Sequence, residues 1–554
     1  MTATDTSAVA DVGGAASDGE EPPASPSLEG GSGLPQNLGR NVFVNYLAVV
    51  AISVTALVTT PVLLHHLGTA AFGVYALAGS VVAYLQLFDM GFGAATIRQV
   101  AADAYRRPAG VIRTINTNFF ALSILGGFAL VIGLLVAVVS PAFFHVTGDL
   151  AHETVITFAI LAVALAISIP FDTLGGVIQA HQRFDWLSIA NVSVTVLAAV
   201  GGCVAVVLGY GLVGAAIASA GAALLLHFFR WGLVRKLVPG VRLSPRLVDR
   251  SRLRGSARES GWFLVRDMTD VVINQADLVV VGFMLGAKAA AVYAVGLKLA
   301  QISRRAMKPL SQVFFPHAST LANNDEKHRL SLLLMDGTRV SLAIAVPIAL
   351  VLTIMAQPLL AAWGVSGDLA SELNQAVAVL VLLAAARGLT AITDTAWWLL
   401  AGAGWIRVTA AVAVVESVVN LGSSLVLAHP LGPAGVALGT FIGLVFVGLP
   451  CSLVLAGRLT KVKLRTFLHR SVAPQVLPAV VVGVGLLAAV HFLPEDRLLT
   501  LLVAAAAFLV YIALYLVVTP APEERERGLA LLRRVRPPRR YRPRHGMPPA
   551  ATAD

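Results

Sequence analysis

Two stripes of ionisable side chains, each set inside an apolar run, are where this sequence can do chemistry. Arg266, Asp270, Asn274 and Asp277 recur at i, i+4, i+8 and i+11, so on a helix they fall within about 80° of arc. Lys298, Gln301, Arg305 and Lys308 follow in the next run, again within about 80°. A charge in an apolar medium costs about 2.5–3.5 kcal/mol on insertion scales, so both stripes must face protein or water. The first stripe either lines a cavity, with Asp270 or Asp277 as an ion- or proton-coupling carboxylate, or pairs with neighbouring helices. The second either neutralises the first through salt bridges or grips an anionic headgroup such as a pyrophosphate, which a guanidinium can hold bidentately. Counted from Ala290 at the start of the run, Lys298 lies about 12 Å deep and Arg305 about 22 Å deep. Snorkelling accounts for Lys308 and Arg304 near the far end more easily than for these two.

Isolated charges add to the set. Asp89 and Arg98 sit late in the second apolar run. Asp172 stands beside Pro170, where the pair is expected to terminate a helix. Arg387 and Asp394 are seven apart on one face and can pair across two turns, and Glu416 and Asn420 share a face at i, i+4. His65 and His66 read as a solvated loop, and Trp397 and Trp398 as membrane-interface residues. The candidate substrate-binding cations are therefore Lys298, Arg305, Lys308, Arg266 and Arg387. The candidate coupling or cavity-lining polar residues are Asp270, Asn274, Asp277, Glu416 and Asp89.

The sequence has no GxxxxGK run for nucleotide phosphates, no HExxH pair and no Cys/His cluster with metal spacing. No cofactor, no metal and no enzyme activity are expected.

The elements that position these residues follow from composition. Of 554 residues 57% are hydrophobic and only 13% charged, about half the charged share of a soluble domain. Too few polar residues remain for a soluble shell, which excludes a cytosolic enzyme, a secreted disulfide scaffold and a disordered chain. Two cysteines, Cys203 and Cys451, lie in apolar runs and read as buried hydrophobes. The net charge of +11 gathers in short linkers, which argues against a nucleic-acid partner.

Apolar runs long enough to cross a bilayer recur fourteen times, at about 43–65, 73–97, 115–140, 155–179, 186–208, 211–234, 262–285, 290–317, 338–362, 373–400, 407–428, 433–456, 474–493 and 498–518. The expected fold is an all-α polytopic membrane protein. Lys and Arg concentrate in the even-numbered loops, including Arg98 to Arg113, Arg183, Arg235 to Arg258, and Lys461 to Arg470, whereas the odd loops hold only Lys288 and Arg497. By the positive-inside bias, both termini are expected in the cytoplasm.

The two halves repeat. LGTAAFGVYA (Leu67 to Ala76) matches LGAKAAAVYA (Leu285 to Ala294) 218 positions later, and GLVGAAIA (Gly211 to Ala218) matches GPAGVALG (Gly432 to Gly439) 221 positions later. Each repeat contains an even number of spans, so the two lobes are expected to be parallel and related by an axis along the membrane normal. The expected organisation is an acidic disordered tail (1–39), a six-helix lobe (40–234), a basic cytoplasmic linker (235–260), a second six-helix lobe (261–457), two further helices (458–519) and a basic Pro/Arg-rich tail (520–554). The first tail holds six acidic residues and the last nine arginines. The last tail either lies on anionic lipid or is merely solvated.

LGRNVFVNY (Leu38 to Tyr46), LLHHLGTAAFGVYALA (Leu63 to Ala78), FDMGFGAATIRQVA (Phe88 to Ala101) and QADLVVVGFMLGAKAAAVYAVG (Gln275 to Gly296) resemble bacterial polysaccharide transporters. These are the O-antigen and capsule flippases of the multidrug/oligosaccharidyl-lipid/polysaccharide (MOP) exporter superfamily. The resemblance implies two six-helix lobes working by alternating access in the bacterial cytoplasmic membrane. It implies a polyprenyl-diphosphate-linked oligosaccharide as substrate, with membrane lipids, H+ or Na+, and a polysaccharide polymerase and glycosyltransferases as expected partners. Two helices beyond twelve are more like the lipid II flippase branch. A cation-coupled multidrug antiporter of the same superfamily is the first alternative, although cations in the cavity disfavour it. A membrane-embedded polymerase or ligase is the second, although the short outer loops offer it no catalytic domain.

Overall fold

The computed structural model describes residues 38–518 apart from 90–91, 105–107, 325, 364, 366–371 and 493–495. The two expected tails lie outside the described residues, save Leu38 and Gly39. Among the described residues every regular element is a helix. The first half holds α1 (Leu38–Leu67), α2 (Thr69–Leu85), α3 (Phe92–Ala104), α4 (Pro108–Phe143), α5 (Asp149–Ala180), α6 (Phe184–Val207) and α7 (Gly211–Leu237). The second holds α8 (Arg250–Asn323), α9 (Lys327–Ile354), α10 (Ala356–Ala362), α11 (Leu373–Gly402), α12 (Ile406–Leu431), α13 (Pro433–Gly443) and α14 (Leu449–Thr460). After these come α15 (Leu464–Phe467), α16 (Ala473–Phe492) and α17 (Arg497–Val518).

Thirteen of the helical stretches among the described residues are long and apolar enough to cross a membrane. The longest, Val271–Met307, contains a sharp break at Gly286, where φ is 87° and ψ is 176°. The seventh and eighth apolar runs are the two limbs of α8 on either side of it.

The sequence repeat reappears in the backbone. Gly68 (φ 78°) and Gly286 (φ 87°) are equivalent positions of the first match, and Gly211 (φ 58°) and Gly432 (φ 65°) of the second. Glycine takes positive φ without the Cβ cost that other residues pay, so both halves turn at the same residue type in the same place.

The halves meet beside these turns. Gly73 on α2 sits so close to the second limb of α8 that a Cβ there would run into the Ala287 carbonyl. The Ala287 N–H donates to the Phe144 carbonyl at 3.2 Å, and Trp363 Nε1 donates to the Leu57 carbonyl at 2.5 Å. The largest buried apolar cluster runs through this seam, with Leu77, Phe144, Val281, Tyr293, Leu360 and Leu380 among its members.

At the other end the linker is pinned to the first half. The Asn116 side chain donates to the Arg242 carbonyl at 2.8 Å and accepts from the Ser244 N–H at 2.6 Å. Arg252 meets Asp103 at 2.5 Å and Thr114 at 2.7 Å. Asp249 caps α8 by accepting from the Ser251 N–H at 2.9 Å and its hydroxyl at 2.6 Å, and these bonds hold its carboxyl below the usual carboxylate range.

Three local expectations are corrected. The second run is not one helix to residue 97: α2 tightens into a 3₁₀ turn at Gln86–Asp89, and a separate α3 starts at Phe92. Gly91 and Gly93 weaken helix propagation there. Pro170 and Asp172 do not end a helix, because α5 continues to Ala180. Cys203 and Cys451 are half-buried rather than buried. The last two spans, α16 and α17, lie along α9. There Gln475 Nε2 donates to the Arg339 carbonyl and Tyr511 donates to Gln475 Oε1, both at 2.9 Å.

Candidate functional site

The Gly286 break folds α8 back on itself, so the two stripes read from the sequence come to lie on neighbouring limbs. On the first limb Asp277 is 5% exposed. Its Oδ2 accepts from the Tyr293 hydroxyl at 2.8 Å and from the Thr440 hydroxyl at 2.5 Å. Tyr293 belongs to the second limb and Thr440 to α13, so three segments converge on one carboxylate.

One turn before Asp277, Asn274 Oδ1 accepts from Arg387 Nη2 of α11 at 3.0 Å. Arg387 is 8% exposed, and its Nε has no hydrogen-bond partner among the described residues. Asp277, Asp394 and Arg304 all lie within electrostatic reach of it. The expected Arg387–Asp394 pair is therefore replaced by a wider network centred on Arg387.

Glu416 on α12 is half-buried and within electrostatic reach of Arg387 and Asp394. Its carboxylate lies against Gly448, where a Cβ would sit 2.6 Å from Oε2. Gly448 closes a π-helical turn, Leu444–Gly448, between α13 and α14. Such turns open the backbone ladder by one residue, and here the widened turn and the missing side chain make room for the acid.

Lys298 and Arg305 share the second limb, within electrostatic reach of each other. Arg305 Nη2 lies 3.5 Å from Gln301 Oε1, while its Nη1 is buried with no partner among the described residues. No carboxylate among the described residues comes within ion-pair distance of Lys298, Arg305 or Arg387. Ser80 on α2 donates to Gln275 Oε1 at 3.0 Å, closing the seam between the halves. Ser80 stands twelve residues past Gly68, and Gln275 eleven before Gly286. Lys298 is level with that closure, and Arg305 lies about 10 Å beyond it, towards the basic loops.

The side chains of Arg266, Asp270 and Lys308 lie outside the described residues. Asp89 is half-buried in the first half and engaged in interactions of its own. Sequence reasoning missed Tyr293 and Thr440. A tyrosine in an Ala/Val run needs a partner for its hydroxyl, which was the available signal; Thr440 carried none. It also missed a second polar cluster, in which Arg230 pairs with Asp172 at 2.8 Å and reaches Asn191 at 3.3 Å.

A family model described as polysaccharide biosynthesis protein matches residues 38–322. No curated protein matches the sequence. Among solved structures, the lipid II flippase MurJ in an inward closed conformation superposes with a TM-score of 0.64 at 15% identity, covering 85% of this chain and 98% of that one. An inward-facing multidrug resistance MATE family transporter of the MOP superfamily gives 0.63 at 15% identity, covering 76% and 99%. At that identity the two structures speak for the fold alone, a membrane-spanning bundle of helices. Since the family match spans more than half the sequence, this multi-pass membrane protein belongs to the polysaccharide biosynthesis protein family and carries the fold of the MOP superfamily.

Proposed function

We propose that the protein moves a polyprenyl-diphosphate-linked oligosaccharide across the bacterial cytoplasmic membrane by alternating access, and that it transports rather than reacts. The observation that carries this reading is the set of cations, Lys298, Arg305 and Arg387, that have no carboxylate at ion-pair distance among the described residues, beside the seam between the halves. A diphosphate needs such groups when it leaves water. The seam is closed from the glycine turns down to the Ser80–Gln275 bond, and the cations lie at and beyond that level. This arrangement suits a state that loads from the side of the basic loops. To Asp277 and Glu416 we assign the coupling of a proton or a cation to the motion.

The similarity to multidrug transporters keeps a second reading in view, a cation-coupled drug antiporter. Repulsion from Lys298 and Arg305 disfavours a cationic drug at that wall.

The test is surface glycan in a flippase-deficient host, normalised to membrane-inserted protein. Arg305→Ala is expected to abolish export at normal protein level. Arg305→Lys is expected to restore it only in part, because a point charge replaces a fork. If Arg305 merely neutralises an acid such as Asp270, Arg305→Met with Asp270→Asn should recover both level and export, and that recovery would overturn the anion site.

A further inference from the structure

Away from the charged network, the short connection between α14 and α16 forms a hollow with two chemically distinct parts. The cavity, about 270 Å³, is lined by Leu334 of α9, Leu453 and Ala456 of α14, and Val462 and Phe467 beyond it. Its floor is sealed: Leu334 and Phe467 are each 3% exposed and Ala456 1%. Its lip is open, with Val454 53% and Leu464 56% exposed. An apolar hollow at the end of a span, opening sideways through exposed aliphatic side chains, is filled by hydrocarbon rather than water.

The rim is cationic. Arg458 lines the cavity itself. A left-handed turn at Lys461 (φ 60°) ends α14, and Lys461, Lys463 and Arg465 alternate in sequence with the lining residues Val462 and Leu464. From Gly457 to Pro474 the sequence contains no Asp or Glu. None of Arg458, Lys461, Lys463 and Arg465 has an ion-pair partner among the described residues, whereas Arg470 is taken by Asp336 at 3.1 Å. A second, more open hollow of about 410 Å³ is bordered by Arg465, Thr466, His469 and Arg470 of the same connection.

We infer that this hollow is a binding site for an anionic diacyl phospholipid of the surrounding leaflet. One acyl chain enters between α9 and α14, and the phosphate sits among Arg458, Lys461 and Arg465. The charge complementarity selects the headgroup, and the sealed apolar floor selects a lipid over a soluble anion. Basic residues beside a span attract anionic lipid in general; the cavity is what turns that attraction into a site. The inference needs only the membrane-spanning fold and is independent of what the protein transports.

The test uses the full-length protein purified in detergent, with native mass spectrometry counting bound phosphatidylglycerol against phosphatidylcholine of the same chains. Wild type is expected to retain at least one phosphatidylglycerol with a preference of tenfold or more. Arg458→Gln with Arg465→Gln should weaken it about twenty-five-fold, at roughly fivefold per cation removed. Leu464→Trp, a change at the exposed lip that plugs the mouth, should weaken it with all charges kept. The control, Arg246→Gln with Arg250→Gln in the other basic loop, should leave it unchanged. Equal binding of the two lipids, or equal loss in the control, would overturn the site. Displacement of phosphatidylglycerol by an equimolar polyprenyl diphosphate through the same residues would reassign the hollow to the transported lipid and overturn it too.

Discussion

The hydroxyl of Tyr293 donates to the carboxylate of Asp277 at 2.8 Å, and the two residues stand on opposite limbs of α8, nine positions before and seven after the Gly286 break. That bond, with the one from Thr440, ties the hairpin of α8 to α13. It sets this carboxylate where three segments of the second half meet.

Removing either hydroxyl should therefore loosen the joint. Tyr293→Phe or Thr440→Val is expected to cost about 1.5–3 kcal/mol each, the range for hydrogen bonds to charged groups, and the double change should cost more than the sum because it strips one buried oxygen of both its donors. Asp277→Asn keeps the shape and removes the charge. Inserted protein should stay near the wild-type level while export falls to background. Thermal unfolding in detergent and surface-glycan output check the two halves of this expectation.

Backbone geometry gives a sharper stability test. Gly68 and Gly286 both combine positive φ with ψ near 170°, a region essentially closed to other residues. Gly68→Ala and Gly286→Ala should each cost about 1–3 kcal/mol and reduce folded protein. Gly127→Ala, with open space around its Cβ, should not. Equal tolerance of all three would contradict the paired turns.

In the first half, Arg230 and Asp172 should behave as a pair. Arg230→Met leaves the carboxylate without its partner and is expected to destabilise by about 2–3 kcal/mol, below the fully buried range because the Asp172 side chain is 46% exposed. Arg230→Met with Asp172→Leu should regain most of that loss. A double variant as unstable as the sum of the two single ones would show that the charges do not act together.

Topology is tested by reporter fusions. Fusions at Gly148 and Pro430 are expected to report outside, and fusions at Arg246 and Lys463 inside. One inversion among the four would break the orientation on which the inward-loading state rests.

Much of this was legible in the sequence, for physical reasons that differ by feature. Apolar length alone announces the spans, since a bilayer demands about twenty such residues. The match around Gly68 and Gly286 was legible because both halves keep a similar turn sequence; the positive φ of its glycines was not. The stripe holding Asn274 and Asp277 was visible because buried charges are rare. Their partners were not. Arg387 is 113 residues from Asn274 and Thr440 is 163 from Asp277, and no periodicity encodes contacts between helices so far apart. The break after Asp89 was missed because hydropathy ignores the helix-weakening glycines that follow it.

The central claim is tested most directly by reconstitution. Purified protein in liposomes holding a polyprenyl-diphosphate oligosaccharide in one leaflet, under a membrane potential and a proton or sodium gradient, is assayed for the glycan's exposure to periodate on the far side. The account predicts exposure well above that of empty liposomes for wild type, and exposure at the empty-liposome rate for Arg305→Ala. Wild-type exposure no faster than in empty liposomes under every gradient, or undiminished exposure in Arg305→Ala, would contradict it.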